Sequence, residues 1–96
     1  MSGEAKREPR FPLGRVVATP GALAALGEAG VEPLGLLQRH ASGDWGAVCA
    51  EDAASNERAL TNGWRIISAY EVGGARIWVI TESDRRSTCL LLPSEY

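Results

Sequence analysis

The run Arg65-Ile66-Ile67-Ser68-Ala69-Tyr70-Glu71-Val72, then Gly73-Gly74, then Ala75-Arg76-Ile77-Trp78-Val79-Ile80-Thr81, decides the fold. Both arms are rich in β-branched and aromatic residues, which suit a pleated, half-buried surface. The paired glycines accept the positive φ angles that a two-residue hairpin turn requires. Pairing Val72 with Ala75 places Tyr70 opposite Ile77 and Ser68 opposite Val79. Because side chains alternate along a strand, Ile66, Tyr70, Val72, Ile77 and Val79 then share one buried face. Ile67, Trp78 and Ile80 share the other. That second face is expected either to lie under the N-terminal segment or to form an exposed binding surface.

Downstream, the polar link Glu82–Ser87 is long enough for another antiparallel return into Thr88–Leu92, which Pro93 ends. Upstream, Gly14–Thr19 is a short strand whose partner the sequence does not specify. Thr19-Pro20 starts a helix, with the hydroxyl as N-cap and proline at the first helical position. Ala22, Leu23, Ala25, Leu26 and Ala29 give it an apolar face, and Gly30 stops it. A second helix begins near Glu32-Pro33, carries Leu34, Leu36, Leu37 and His40, and stops at Gly43. A third is expected from Trp45 to Asn62, with Asp44 as N-cap and Gly63 closing it. The order β-α-α-α-β-β-β describes an α+β domain: a small antiparallel sheet with helices packed on one face.

Ninety-six residues support one domain with one modest core. Residues 1–10 are polar and are expected to form a disordered tail ahead of a single domain over 11–96. With ten basic and twelve acidic residues the formal charge is −2, which argues against direct nucleic-acid binding. Between Asp44 and Asn62 stand Asp44, Glu51, Asp52 and Glu57 against Arg58 alone, so this is the most acidic surface. Two cysteines, Cys49 and Cys89, and one histidine make no metal-site pattern, so no cofactor is expected. The two thiols are expected to be buried and reduced. No apolar run reaches the length of a membrane span and no signal-peptide pattern opens the chain, which makes the cytoplasm the expected compartment.

Two sets of residues carry candidate chemistry. The first is a protein-binding set: Glu51, Asp52 and Glu57 on the acidic helix, with Trp78 and Arg85 as anchors of the kinds that dominate interfaces. The second is catalytic: His40, with its near-neutral pKa, together with Glu82, Asp84 and Arg85 in the polar link, could support acid–base cleavage of RNA. Each member also has a plain structural reading. A histidine at a helix end suits the dipole, and an exposed turn is expected to hold Asp and Arg. Trp64, at the helix-to-strand junction, is expected in the core, and Trp45 half-buried.

Phe11–Gly21, His40 with Gly43-Asp44-Trp45-Gly46, Ile80–Arg85 and Leu91–Tyr96 together resemble a group of short bacterial proteins carried on plasmids, integrated elements and phages, some of them labelled as type I restriction subunits. The resemblance covers most of the chain from Phe11 onward and brings no catalytic residues with it. It implies a non-enzymatic accessory protein of a mobile element, of anti-CRISPR or anti-restriction type. The implied partner is another protein, such as a nucleic-acid-binding defence complex.

Overall fold

The computed structural model describes residues 8–96. Its elements run β1 (Arg15–Ala18), α1 (Pro20–Ala29), α2 (Pro33–Ala41), α3 (Ala50–Asn62), β2 (Ile66–Val72), β3 (Ala75–Thr81) and β4 (Ser87–Leu91), then a 3₁₀ turn over Pro93–Glu95. This is the α+β order expected from the sequence. The hairpin has the expected register, with Val72 paired to Ala75, Tyr70 to Ile77 and Ser68 to Val79. Gly73 and Gly74 turn it with φ angles of 52° and 84°.

The sheet order is β1-β4-β3-β2. β3 and β4 are antiparallel, but β1 lies parallel to β4, with Arg15 beside Ser87 and Ala18 beside Leu90, so the sheet is mixed. All three helices intervene between β1 and its neighbour in the sheet, a non-local pairing that no local sequence pattern encodes.

One face of the sheet, the front, carries the core. Tyr70, Val72, Ile77, Val79 and Leu90 pack against Ala22 and Leu26 of α1 and Leu36 and Leu37 of α2. A second cluster joins Ile66 to Phe11, Trp45 and Ala59, with Ala53 and Leu60 of α3 against it. Fully burying each large apolar side chain contributes about 1.5–3 kcal/mol, so these two clusters dominate the stability. Thr19 caps α1 by accepting from the Ala22 amide at 3.2 Å, and Gly30 and Gly63 close α1 and α3.

The third helix starts five residues later than expected. Asp44 is not its N-cap: its carboxylate accepts from the Gly46 amide at 3.2 Å and pairs with Arg39 at 2.7 Å, which makes a turn. Gly46 has φ 76°, and a Cβ there would lie 2.0 Å from the Ala69 carbonyl oxygen. The chain at 45–47 therefore runs alongside β2 instead of coiling, and Cys49 occupies the cap. Cys49 is in consequence exposed rather than buried, while Cys89 is partly covered, and both are free thiols.

This strap closes the outer edge of β2. The Ala69 amide donates to the Trp45 carbonyl at 3.1 Å, and the Ala47 amide donates to the Ala69 carbonyl at 2.7 Å. Two residues along, Asn56 of α3 does the same with a side chain. Its Nδ2 donates to the Ile67 carbonyl at 2.8 Å and its Oδ1 accepts from the Ile67 amide at 3.2 Å. The carboxamide thus reproduces the paired donor and acceptor of a neighbouring strand.

Two tryptophans differ from expectation. Trp64 is 46% exposed because its backbone docks instead of its ring: the amide donates to Ala59 and the carbonyl accepts from Arg85. Trp45 is buried, 6.3 Å from the Phe11 ring and edge-on to His40 at 6.1 Å. Residues 1–7 of the expected tail lie outside the described residues. Arg10, also assigned to the tail, is anchored by a backbone hydrogen bond to Ala41 of 2.7 Å and by a two-point pair with Glu57.

Candidate functional site

His40 sits at the centre of the front face with no solvent exposure. Its Nδ1 lies 2.6 Å from the Ser68 hydroxyl and its Nε2 lies 2.9 Å from the Thr81 hydroxyl. Thr81 Oγ1 is 2.7 Å from Thr88 Oγ1, which in turn donates to the Leu13 carbonyl at 2.8 Å. The proton positions follow by elimination. A carbonyl only accepts, so the Thr88 proton points at Leu13. The Thr81–Thr88 contact needs a hydrogen, and only Thr81 can still supply it. Thr81 must then accept from His40 Nε2–H, which leaves Nδ1 to accept from Ser68. The chain runs one way through a neutral imidazole.

Burial, with a smaller contribution from the Arg85 charge, pushes the His40 pKa down to about 4. Ser68, Thr81 and Thr88 are themselves fully buried. A base that serves catalysis must reach its substrate, and this one has both nitrogens engaged inside the core, as an interior polar network requires. Glu82 and Asp84, its proposed companions, are exposed in the β3–β4 turn, where Asp84 accepts from the Arg86 amide at 2.9 Å.

Arg85 has the same structural character. It is the one non-glycine residue with positive φ among those described, at 60°. That conformation turns its guanidinium back over the Phe11 ring at 5.7 Å, to donate to the carbonyls of Trp64 at 2.7 Å and Ala59 at 3.0 Å. It closes the C-terminal end of α3, where orphan carbonyls need donors. Glu57 is also engaged: Arg10 holds its carboxylate below the usual range, and Trp45 Nε1 donates to it at 3.2 Å.

The back of the hairpin is different. Ile80 and Leu91 are buried there, but Trp78 is only partly covered. Among the described residues Tyr96 covers it, its ring meeting Trp78 edge-on at 5.6 Å. Beside Trp78 opens a concavity of about 520 Å³. Small residues make its depth: Ala69 stands opposite Trp78 on the neighbouring strand, and Ala47, Cys49 and Ser55 come from the strap and α3. Its walls are Trp78, Arg65 and Arg76 from the hairpin and Asp52 from α3. Asp52 and Ser55 are three residues apart, hence on one helix face.

The charges of this hollow are unevenly committed. Arg76 pairs with Glu71 at 2.8 Å. Arg65 donates to the Tyr96 hydroxyl at 2.8 Å and has no carboxylate partner among the described residues; Asp52 has no cationic one. Glu51 and Asp52 are both exposed in the first turn of α3, where the helix dipole favours them. Sequence reasoning picked out Trp78 and Asp52 but not Arg65 or the hollow. The available signal was Ala69, a small residue facing a tryptophan across the hairpin. Among the described residues no group of three His, Cys, Asp or Glu side chains could hold a metal ion, and no helix is long and apolar enough to cross a membrane.

Set beside known proteins, the chain matches no family model, no curated protein and no solved structure.

Proposed function

We propose that this is a small non-enzymatic binding protein that engages another protein through the back of the β2–β3 hairpin and the first turn of α3. The observation that carries this reading is the hollow beside Trp78, in which a part-exposed aromatic ring stands among charged groups, Arg65 and Asp52, that have no ion partner among the described residues. Half-covered tryptophans flanked by arginine are the usual anchors of protein interfaces. Glu51 and Asp52 extend the surface with negative charge suited to a basic groove, and such complementarity speeds association. The resemblance to mobile-element proteins favours a host defence nuclease, a restriction or CRISPR complex in the cytoplasm, as the owner of that groove. Arg85 and Glu57 support the surface by holding α3 in place rather than by touching the partner.

The test is affinity capture from a host extract with quantitative mass spectrometry, comparing the wild type with Trp78→Ala and with Glu51→Lys/Asp52→Lys. A defence nuclease retained by the wild type and reduced about tenfold by either variant, with affinity falling as salt rises, is the expected outcome. Equal capture by all three proteins would overturn the assignment of this face.

A further inference from the structure

The two edges of the sheet are treated in opposite ways. At β2, the strap at 45–47 and the Asn56 carboxamide satisfy the outward backbone groups of Ala69 and Ile67. At β1 nothing among the described residues does so. The Arg15 amide donates inward to Arg86 at 2.9 Å and the Thr19 amide inward to Leu90 at 3.0 Å. By strand alternation Val16 and Ala18 therefore turn their N–H and C=O groups away from the sheet. Val16 and Val17, on opposite faces of the strand, are 43% and 45% exposed. The strand holds no proline, glycine or lysine of the kind that commonly blunts a free edge.

We propose that β1 receives an extended acidic segment of a partner protein as a fifth strand. Backbone pairing to Val16 and Ala18 would supply the affinity, and the two exposed valines would meet apolar side chains of the incoming strand on both faces. The preference for acid comes from Arg15 on the edge strand itself and from Arg86, whose carbonyl accepts from the Arg15 amide at the same end of the sheet; both are exposed and without a carboxylate partner among the described residues. A second copy of the chain meets these arginines poorly. Glu95, the acid beside the far end of β1, is already bound to the Thr19 hydroxyl and to the Gly21 amide at 3.0 Å. This edge is separate from the hollow at Trp78, so the two proposals stand or fall independently.

The probe is a synthetic ten-residue peptide alternating Glu with Val and Thr, titrated into the full chain and followed by amide NMR and hydrogen exchange. The expected result is slowing of exchange at Val16 and Ala18 by about tenfold or more at saturation, in wild type and in Trp78→Ala alike. The effect should vanish with a peptide carrying proline at its central positions, and with Val16→Pro, which removes an outward amide and no ladder bond. The proline peptide keeps the test decisive if Val16→Pro does not fold. Equal protection by a peptide with Lys in place of Glu would overturn the acidic preference. Protection without peptide that grows with protein concentration would assign the edge to a second copy, and no protection at all would overturn strand addition.

Discussion

The two faces of the sheet use polar residues to opposite ends. On the front, His40, Ser68, Thr81 and Thr88 are all fully buried, and every proton in their chain has an assigned acceptor. On the back, Arg65, Arg76 and Asp52 surround an open hollow, and of these only Arg76 has an ion partner among the described residues. A histidine beside a serine at 2.6 Å invites a catalytic reading, yet in a sealed core the same pair is a structural joint. Less conspicuous residues around Trp78 are the ones with chemistry left to offer. Burial and partner count, more than residue type, separate scaffold from surface.

Substitutions that remove front-face groups should show the sharpest contrast. His40→Ala leaves a cavity and strips partners from two buried hydroxyls, so a loss of roughly 3–5 kcal/mol is expected in urea or thermal unfolding. A loss under about 1 kcal/mol would mean that the hydrogen-bond chain is not the joint described.

The pH dependence comes next in size. The folded His40 pKa of about 4 lies below the value near 6.5 expected in the unfolded chain, so the unfolded state takes up the proton first. Stability is therefore complete above about pH 6.5 and falls as pH drops toward 4, by about 3 kcal/mol over that window. Glu57 and Glu95, whose carboxyls are held down by Arg10 and Thr19, add to the loss once pH falls below the ordinary carboxyl value near 4.5 and on through their lowered folded values. Unfolding curves measured between pH 7 and 4.5 should show the slope in the wild type and lose it in His40→Ala.

The smallest effect belongs to the back. Arg76→Ala removes an exposed pair with Glu71, and its stability cost should stay within about 0.5 kcal/mol in the same unfolding assay. A larger loss would mean that the back face contributes to the scaffold as the front does.

Much of the fold was legible because local chemistry and global structure agree. Gly73-Gly74 fixed the hairpin register, and alternation then assigned Ile66, Tyr70, Val72, Ile77 and Val79 to the core, where they are found. Thr19-Pro20 and Gly30 bound the first helix as expected. The misreadings arose where distant partners override local preference. Asp44 is a good helix cap by type, but Arg39 and the approach of Gly46 to Ala69 turn the chain into a strap. Trp64 is core-like by composition, but Arg85, twenty-one residues away, holds its backbone and leaves the ring outside. The hydrogen-bond chain had a faint sequence signal: Ser68 and Thr81 are polar residues placed by alternation on an otherwise apolar face. Nothing local linked them to His40, 28 and 41 residues away.

That hydrogen-bond chain also bears on the order of assembly. Its links span 28, 41 and 7 residues, and its last joins Thr88 to Leu13 across 75. Loop-closure entropy places the longest connection late in folding. Until the segment leading into β1 arrives, the Thr88 hydroxyl lacks its Leu13 acceptor, and either threonine can donate in the Thr81–Thr88 contact. Docking of β1 is therefore what gives the hydrogen-bond chain its single direction, and the same strand is the one proposed to recruit a partner.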